Sequence, residues 1–204
     1  MEAFSDGVFA IAVTLLVLNL RPPSGGHGTF LHALASQWQS YLALLASFLN
    51  LAAIWVHHHD LFTRVRRVDS RVICANLALL LLASLLPFPA AVISAALRDG
   101  NHADQITASL LYAAVGFLVS IAWMGLYFGL ARSPELLNEP PARAFLRTAQ
   151  RRTAGSLIVF PLVGAMSLLN PVISLAGFVA IPLFFIAALL RTGPETQYEK
   201  SEPA

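Results

Sequence analysis

The sequence predicts an all-α integral membrane protein with six transmembrane helices per subunit, and three observations carry that expectation. Hydrophobic residues make up 57% of the 204 and charged residues only 12%, with a mean hydropathy of +0.68; a water-soluble domain carries about 25% charged residues. Six apolar segments, near 3–20, 38–61, 72–97, 106–130, 154–169 and 172–190, each approach the about 20 residues that cross a hydrocarbon core. Eleven of the thirteen basic residues fall in alternate connections and in the tail, and only Arg21 and Arg98 fall opposite. Such asymmetry places both termini in the cytoplasm, as an even number of spans permits. The expected organisation is one membrane unit over 1–191 and a disordered cytoplasmic tail over 192–204.

The first segment, FSDGVFAIAVTLLVLNL, starts on an acidic rather than a basic flank and lacks a small-x-small cleavage site, so it reads as a helix and not as a secretory signal. At about 100° per residue, Ile11, Leu15 and Leu18 form one aliphatic stripe with Val8 beside it and Thr14 on its flank. Asp6 points about 150° from the stripe's centre, so the carboxylate and the stripe occupy different surfaces. Leucines at this spacing are ordinary packing or lipid contacts in most membrane helices. A ring of branched apolar side chains around a shared axis can instead dewet a passage and force ions to shed water. Ser5 and Asp6 suit the first turn of a helix, and the acid can also tie neighbouring helices together.

The second segment ends in NLAAIWVHHHDLF, where Trp55 and His58 are i,i+3 neighbours and Asn50 precedes them. The third places Asn76 one turn inside its start. At matching depth with Asp6, these donors suggest an interhelical hydrogen-bond network. Successive histidines at 57, 58 and 59 diverge by about 100° and cannot all ligate one ion. His57 and Asp60 alone share a face as two possible ligands, and no second cluster completes a metal site. Cys74 is the only cysteine, which excludes an internal disulfide. Pro87 and Pro89 in LLPFPAA predict a bend in the outer part of the third segment.

Between the fourth and fifth segments, SPELLNEPPARAF reads as a proline-rich turn leading into a basic amphipathic stretch at the inner membrane surface, or more simply as a linker whose arginines only anchor the topology. Pro161 marks the fifth segment, Asn170-Pro171 makes the last two a tight hairpin, and Pro182 is a kink position in the sixth. The clustered arginines set topology rather than a nucleic-acid surface, and neither a cofactor motif nor an enzyme's nucleophile is present in the sequence.

These residues resemble the potassium channels of the transmembrane protein 175 family. FSDGVFAIAVTLLVL is similar to the family's first-helix motif from Phe4 onward, Trp55 and His58 to its second-helix Trp-x-x-His, and Asn76 with LLPFPAA to its third helix. The resemblance implies a homotetramer in the cell membrane that passes potassium with no chemical step, the first helix of each copy lining the pore. It implies a constriction of Ile11, Leu15 and Leu18, with Thr14 contributing to ion preference, and an intrasubunit network of Ser5, Asp6, Trp55, His58 and Asn76. The family's motif arginine would fall immediately before Met1: either the natural start lies one or more residues upstream, or His58 and Trp55 must hold Asp6 without it. A proton-coupled secondary transporter is the rival reading; it calls for a charge near the bilayer midplane and internal repeats, and the sequence displays neither.

Overall fold

The computed structural model describes residues 1–20, 22, 29–99, 101–138 and 141–190. The expected disordered tail and the Gly/His-containing segment after Arg21 lie outside the described residues, as does the Pro-Pro turn at its first proline. Eight α-helices carry the described chain: α1 (Glu2–Leu15), α2 (Phe30–Ala35), α3 (Trp38–Phe62), α4 (Ser70–Leu85), α5 (Pro87–Asp99), α6 (His102–Arg132), α7 (Pro141–Ala165) and α8 (Pro171–Leu190). Among the described residues, four stretches are long and apolar enough to cross a membrane: Glu2–Asn19, Trp38–Phe62, Ser70–Arg98 and His102–Arg132. Pro171–Ala187 is apolar but shorter.

Side-chain contacts fix how the helices align. Glu2 meets His59 and Asp6 meets Trp55, so α1 runs antiparallel to α3. Asn50 bonds the Phe178 carbonyl and His57 meets the Phe185 ring, which makes α8 parallel to α3. Ser156 bonds Ser120, and Gly116 and Gly164 lie against Phe160 and Ala113, so α7 runs antiparallel along most of α6. Where glycine replaces a bulkier residue the backbones approach closely, a common device between membrane helices.

The third apolar segment is broken as its prolines require. α4 ends at Leu85 and α5 begins at Pro87. Proline brings no N–H to the Ala83 carbonyl, and the Leu86 N–H bonds it instead at 3.1 Å. Asn19 donates to the Pro87 carbonyl at 3.1 Å, so the end of the first segment is tethered at this break. That first segment is itself two pieces, α1 and a tighter 3-10 turn over Leu16–Asn19. The hairpin before α8 is tight as expected: the Asn170 side chain accepts from the Val172 N–H at 2.8 Å, and Pro171 occupies the first helical position.

The basic stretch after SPELLNEPP is helical and continuous with the fifth apolar segment, since α7 runs from Pro141 through it to Ala165. Burial of Leu146, Thr153, Ser156, Phe160 and Val163 on one side explains the continuity: the inward pattern keeps helical period across the change from basic to apolar. At this arginine-rich end the two connections are joined, with the Arg66 N–H bonding the Leu136 carbonyl at 2.7 Å and the Asn138 N–H bonding the Arg64 carbonyl at 3.0 Å. Arg64 also bonds Asp60 at 2.8 Å and lies 4.5 Å from the centre of the Phe145 ring.

Candidate functional site

The first helix has two dissimilar sides. Ser5, Phe9, Ala12 and Leu16 recur at helical spacing and are buried against the bundle. Ile11, Leu15 and Leu18 are 63%, 44% and 72% exposed. The protomer therefore uses one side of α1 for packing and leaves the aliphatic stripe uncovered. Leu18 belongs to the 3-10 turn, so its bearing relative to Ile11 and Leu15 follows a tighter winding than an α-helix gives. Thr14 is exposed beside the stripe, and its hydroxyl donates to the Ile11 carbonyl at 2.8 Å.

Behind α1 lie two separate hydrogen-bonded sets. In the buried one, His58 Nε2 and Asn76 Oδ1 are 2.8 Å apart, and Asn76 Nδ2 donates to Ser5 Oγ at 3.1 Å. Because a carbonyl oxygen only accepts, Nε2 carries the proton in this arrangement. Ser5 Oγ in turn donates to the Met1 carbonyl at 3.3 Å, completing a directed chain from α3 through α4 to α1. All three side chains are fully buried. His58 is enclosed by Phe62 stacked at 4.3 Å and by the edges of Phe9 and Trp123 at 5.3 and 6.4 Å. Fixed neighbours of this kind leave the imidazole one orientation, the one aimed at Asn76.

The second set is more exposed. Trp55 Nε1 donates to Asp6 Oδ1 at 2.8 Å, and one turn along both helices His59 Nδ1 meets Glu2 Oε1 at 2.9 Å. Trp55 and His59 stack at 5.8 Å, so the two rungs support each other. Asp6 is thus held by Trp55, while His58 serves Asn76 rather than the carboxylate as expected. Nor does either Ser5 or Asp6 cap the helix: α1 starts at Glu2 with Met1 at its cap position, which places both residues inside it. Asn50 belongs to neither set. Its amide bonds the Ala46 carbonyl at 2.9 Å, Tyr112 Oη at 3.3 Å and the Phe178 carbonyl at 3.0 Å, joining α3, α6 and α8 away from α1.

Glu2 and His59 escaped the sequence reading, although a signal was present. Glu2 and Asp6 are four apart, as are Trp55 and His59, so antiparallel helices that pair one couple must pair the other. The cluster in which Arg98 donates to Ser94 at 2.7 Å and to Ser40 at 3.1 Å was not legible, since isolated serines in apolar helices carry no pattern. Among the described residues no group of three His, Cys, Asp or Glu side chains is gathered for a metal, and Asp60 is engaged by Arg64.

Comparisons with known proteins converge. The family model described as "Endosomal/lysosomal potassium channel TMEM175" matches residues 1–87, which contain both sets. A potassium channel of Streptomyces collinus is 36% identical over 190 residues, covering 91% of this chain and 89% of that protein. Another, from Chamaesiphon minutus, is 37% identical over 148 residues, covering 70% of each. The crystal structure of a lysosomal potassium-selective channel TMEM175 homolog from Chamaesiphon minutus superposes with a TM-score of 0.78 at 30% identity, over 92% of this chain and 95% of that one. Identity sustained along nearly the whole of two chains of similar length, together with the family match over residues 1–87, means that this chain belongs to the TMEM175 family.

Proposed function

We propose that the chain is one subunit of a homotetrameric, potassium-preferring cation channel of the cell membrane, and that the exposed side of α1 lines its pore. The observation that carries this reading is the two-sided first helix: packing inside the protomer consumes the Ser5/Phe9/Ala12/Leu16 side and leaves Ile11, Leu15 and Leu18 uncovered. Four copies facing one axis would close those residues into rings. An aliphatic ring gates by dewetting and discriminates by the work of removing water, which favours potassium over the more strongly hydrated sodium. Ile11 would form the first ring, with Leu15 and Leu18 behind it, and Thr14 supplies lone pairs on their flank. Relatives named as potassium channels support the permeant ion.

In this reading the membrane unit spans 1–191, with six crossings and a cytoplasmic tail over 192–204. α7 runs beside α6 from near its Arg132 end to Gly164 opposite Ala113, and α8 follows α3, which supports two crossings beyond the four most apolar stretches. The arginine-rich end would face the cytoplasm with both termini. The Ser5–Asn76–His58 chain and the Asp6–Trp55 rung would hold α1 at a fixed rotation, so that its stripe faces the axis. Reversal potential across a bilayer containing purified protein in a potassium/sodium gradient tests the proposal. A potassium-directed potential with no need for a proton gradient is expected, whereas flux that requires a proton counter-gradient would assign the chain to the transporters.

A further inference from the structure

The outward face of α7 changes character along its length in a way that topology alone does not require. Arg147, Arg151, Ala154, Ile158 and Leu162 fall within about 80° of one another on the helix. All five are exposed, Ile158 by 64% and Leu162 by 59%. Two arginines therefore head a stripe that becomes aliphatic within one turn. Among the described residues neither the Arg147 nor the Arg151 side chain has an ion pair or a hydrogen bond, while the two ion pairs present engage Arg64 and His59.

Depth makes the second arginine unusual. Ser156 is level with Ser120 and Phe160 with Gly116, so by register Arg151 lies near Gly125 and Arg147 near Gly129. Gly129 is in turn beside Val72 in the first turn of α4. Arg151 consequently sits seven residues, about 10 Å, inward of Arg132, the last residue of α6. It is level with Asn76 rather than with the joined connections at the arginine-rich end. A charge at the border of the hydrocarbon, facing outward and unpaired, is costly unless its side chain reaches back to the headgroup layer or an anion comes to it.

We infer that this face seats an anionic phospholipid, its phosphate between Arg147 and Arg151 and an acyl chain along Ala154, Ile158 and Leu162. Charge complementarity selects the headgroup, and the aliphatic continuation of the same stripe selects a ligand with a chain attached. A free phosphate would satisfy the arginines but leave the stripe without a role. The inference rests on the membrane-spanning part of the proposed function and not on permeation.

Native mass spectrometry of the purified full-length protein, delipidated and titrated with phosphatidylglycerol or phosphatidylcholine, tests it. Tighter binding of phosphatidylglycerol is expected, falling about fivefold for each of R147Q and R151Q and about thirtyfold for the pair. R147K/R151K should retain the preference, which separates lost charge from lost fold, and R66Q/R67Q should bind like the parent protein. Glycerol phosphate, a headgroup without a chain, should fail to compete at equal concentration; if it competes fully, the site takes phosphate and the lipid inference falls. Equal affinity for the two lipids, or an unchanged preference in R147Q/R151Q, also overturns it. Either result with normal potassium flux leaves the channel reading intact, while a protein that does not enter bilayers defeats the membrane reading instead.

Discussion

Asn76 is the hinge of the buried chain, and replacing it with leucine gives a prediction whose size follows from its contacts. Asn76→Leu removes the acceptor of His58 Nε2 and the donor to Ser5 Oγ. Ser5 keeps its bond to the Met1 carbonyl, so the larger loss falls on His58. His58 is fully buried among Phe9, Phe62 and Trp123, and its Nδ1 has no partner among the described residues, so the ring would be left without any hydrogen bond. Stranding a buried donor costs about 1–3 kcal/mol, of which the apolar leucine returns part. His58→Phe makes the reciprocal error by stranding Asn76 Oδ1, and the double variant removes both polar groups together. Interhelical hydrogen bonds in membrane proteins couple by about 0.6 kcal/mol on average and by up to about 1.7 kcal/mol. Full burial of both partners puts this pair at the upper end, so each single variant should lose about 2 kcal/mol and the double variant should recover about 1–2 kcal/mol of the sum. Equilibrium unfolding of detergent-solubilised protein in increasing SDS measures the cycle. Single-variant costs that add within about 0.5 kcal/mol would mean that His58 and Asn76 do not act on each other.

Other outcomes follow from the same geometry. Ile11→Asn replaces an uncovered aliphatic group with a polar one, so conductance should rise and potassium/sodium discrimination weaken in bilayer recordings; unchanged permeation would remove Ile11 from the pore. Asp6→Ala releases Trp55 from its 2.8 Å bond and should reduce the fraction of detergent-resistant oligomer while leaving ion preference nearly intact. Gly116→Ala drives a methyl into the Phe160 ring and should destabilise by about 1–3 kcal/mol, read as a fall in melting temperature. Gly125→Ala, where a methyl meets nothing, should instead stabilise by about 0.5–1 kcal/mol.

Much of the helical plan was legible because apolar length and helical period report directly on burial in a bilayer or a bundle. The α4/α5 break could be located from Pro87 alone, since the missing N–H leaves a carbonyl that must find another partner. The separation of Ile11 and Leu15 from Ser5 and Asp6 was also readable, because all four lie on one regular helix where angle follows from residue number. What could not be read was pairing. Asp6, Trp55, His58 and Asn76 were expected as one set, yet choosing which donor serves which acceptor needs the rotation of α3, and that is set by Phe9, Phe62 and Trp123 closing around His58. The split at Leu16 and the continuity of α7 were hidden for a related reason. Each depends on a contact far away in the chain, Asn19 on Pro87 in one case and the inward residues of α7 on α6 in the other.

Whether the uncovered side of α1 faces water shared between copies is tested most directly by Ile11→Cys in a Cys74→Ser background. A membrane-impermeant, positively charged thiol reagent added from the aqueous phase during potassium current should stop the current in this variant and leave the Cys74→Ser parent unaffected. Persistent, unmodified current through Ile11→Cys channels would place that side of the helix against lipid or protein, and the pore would have to lie elsewhere.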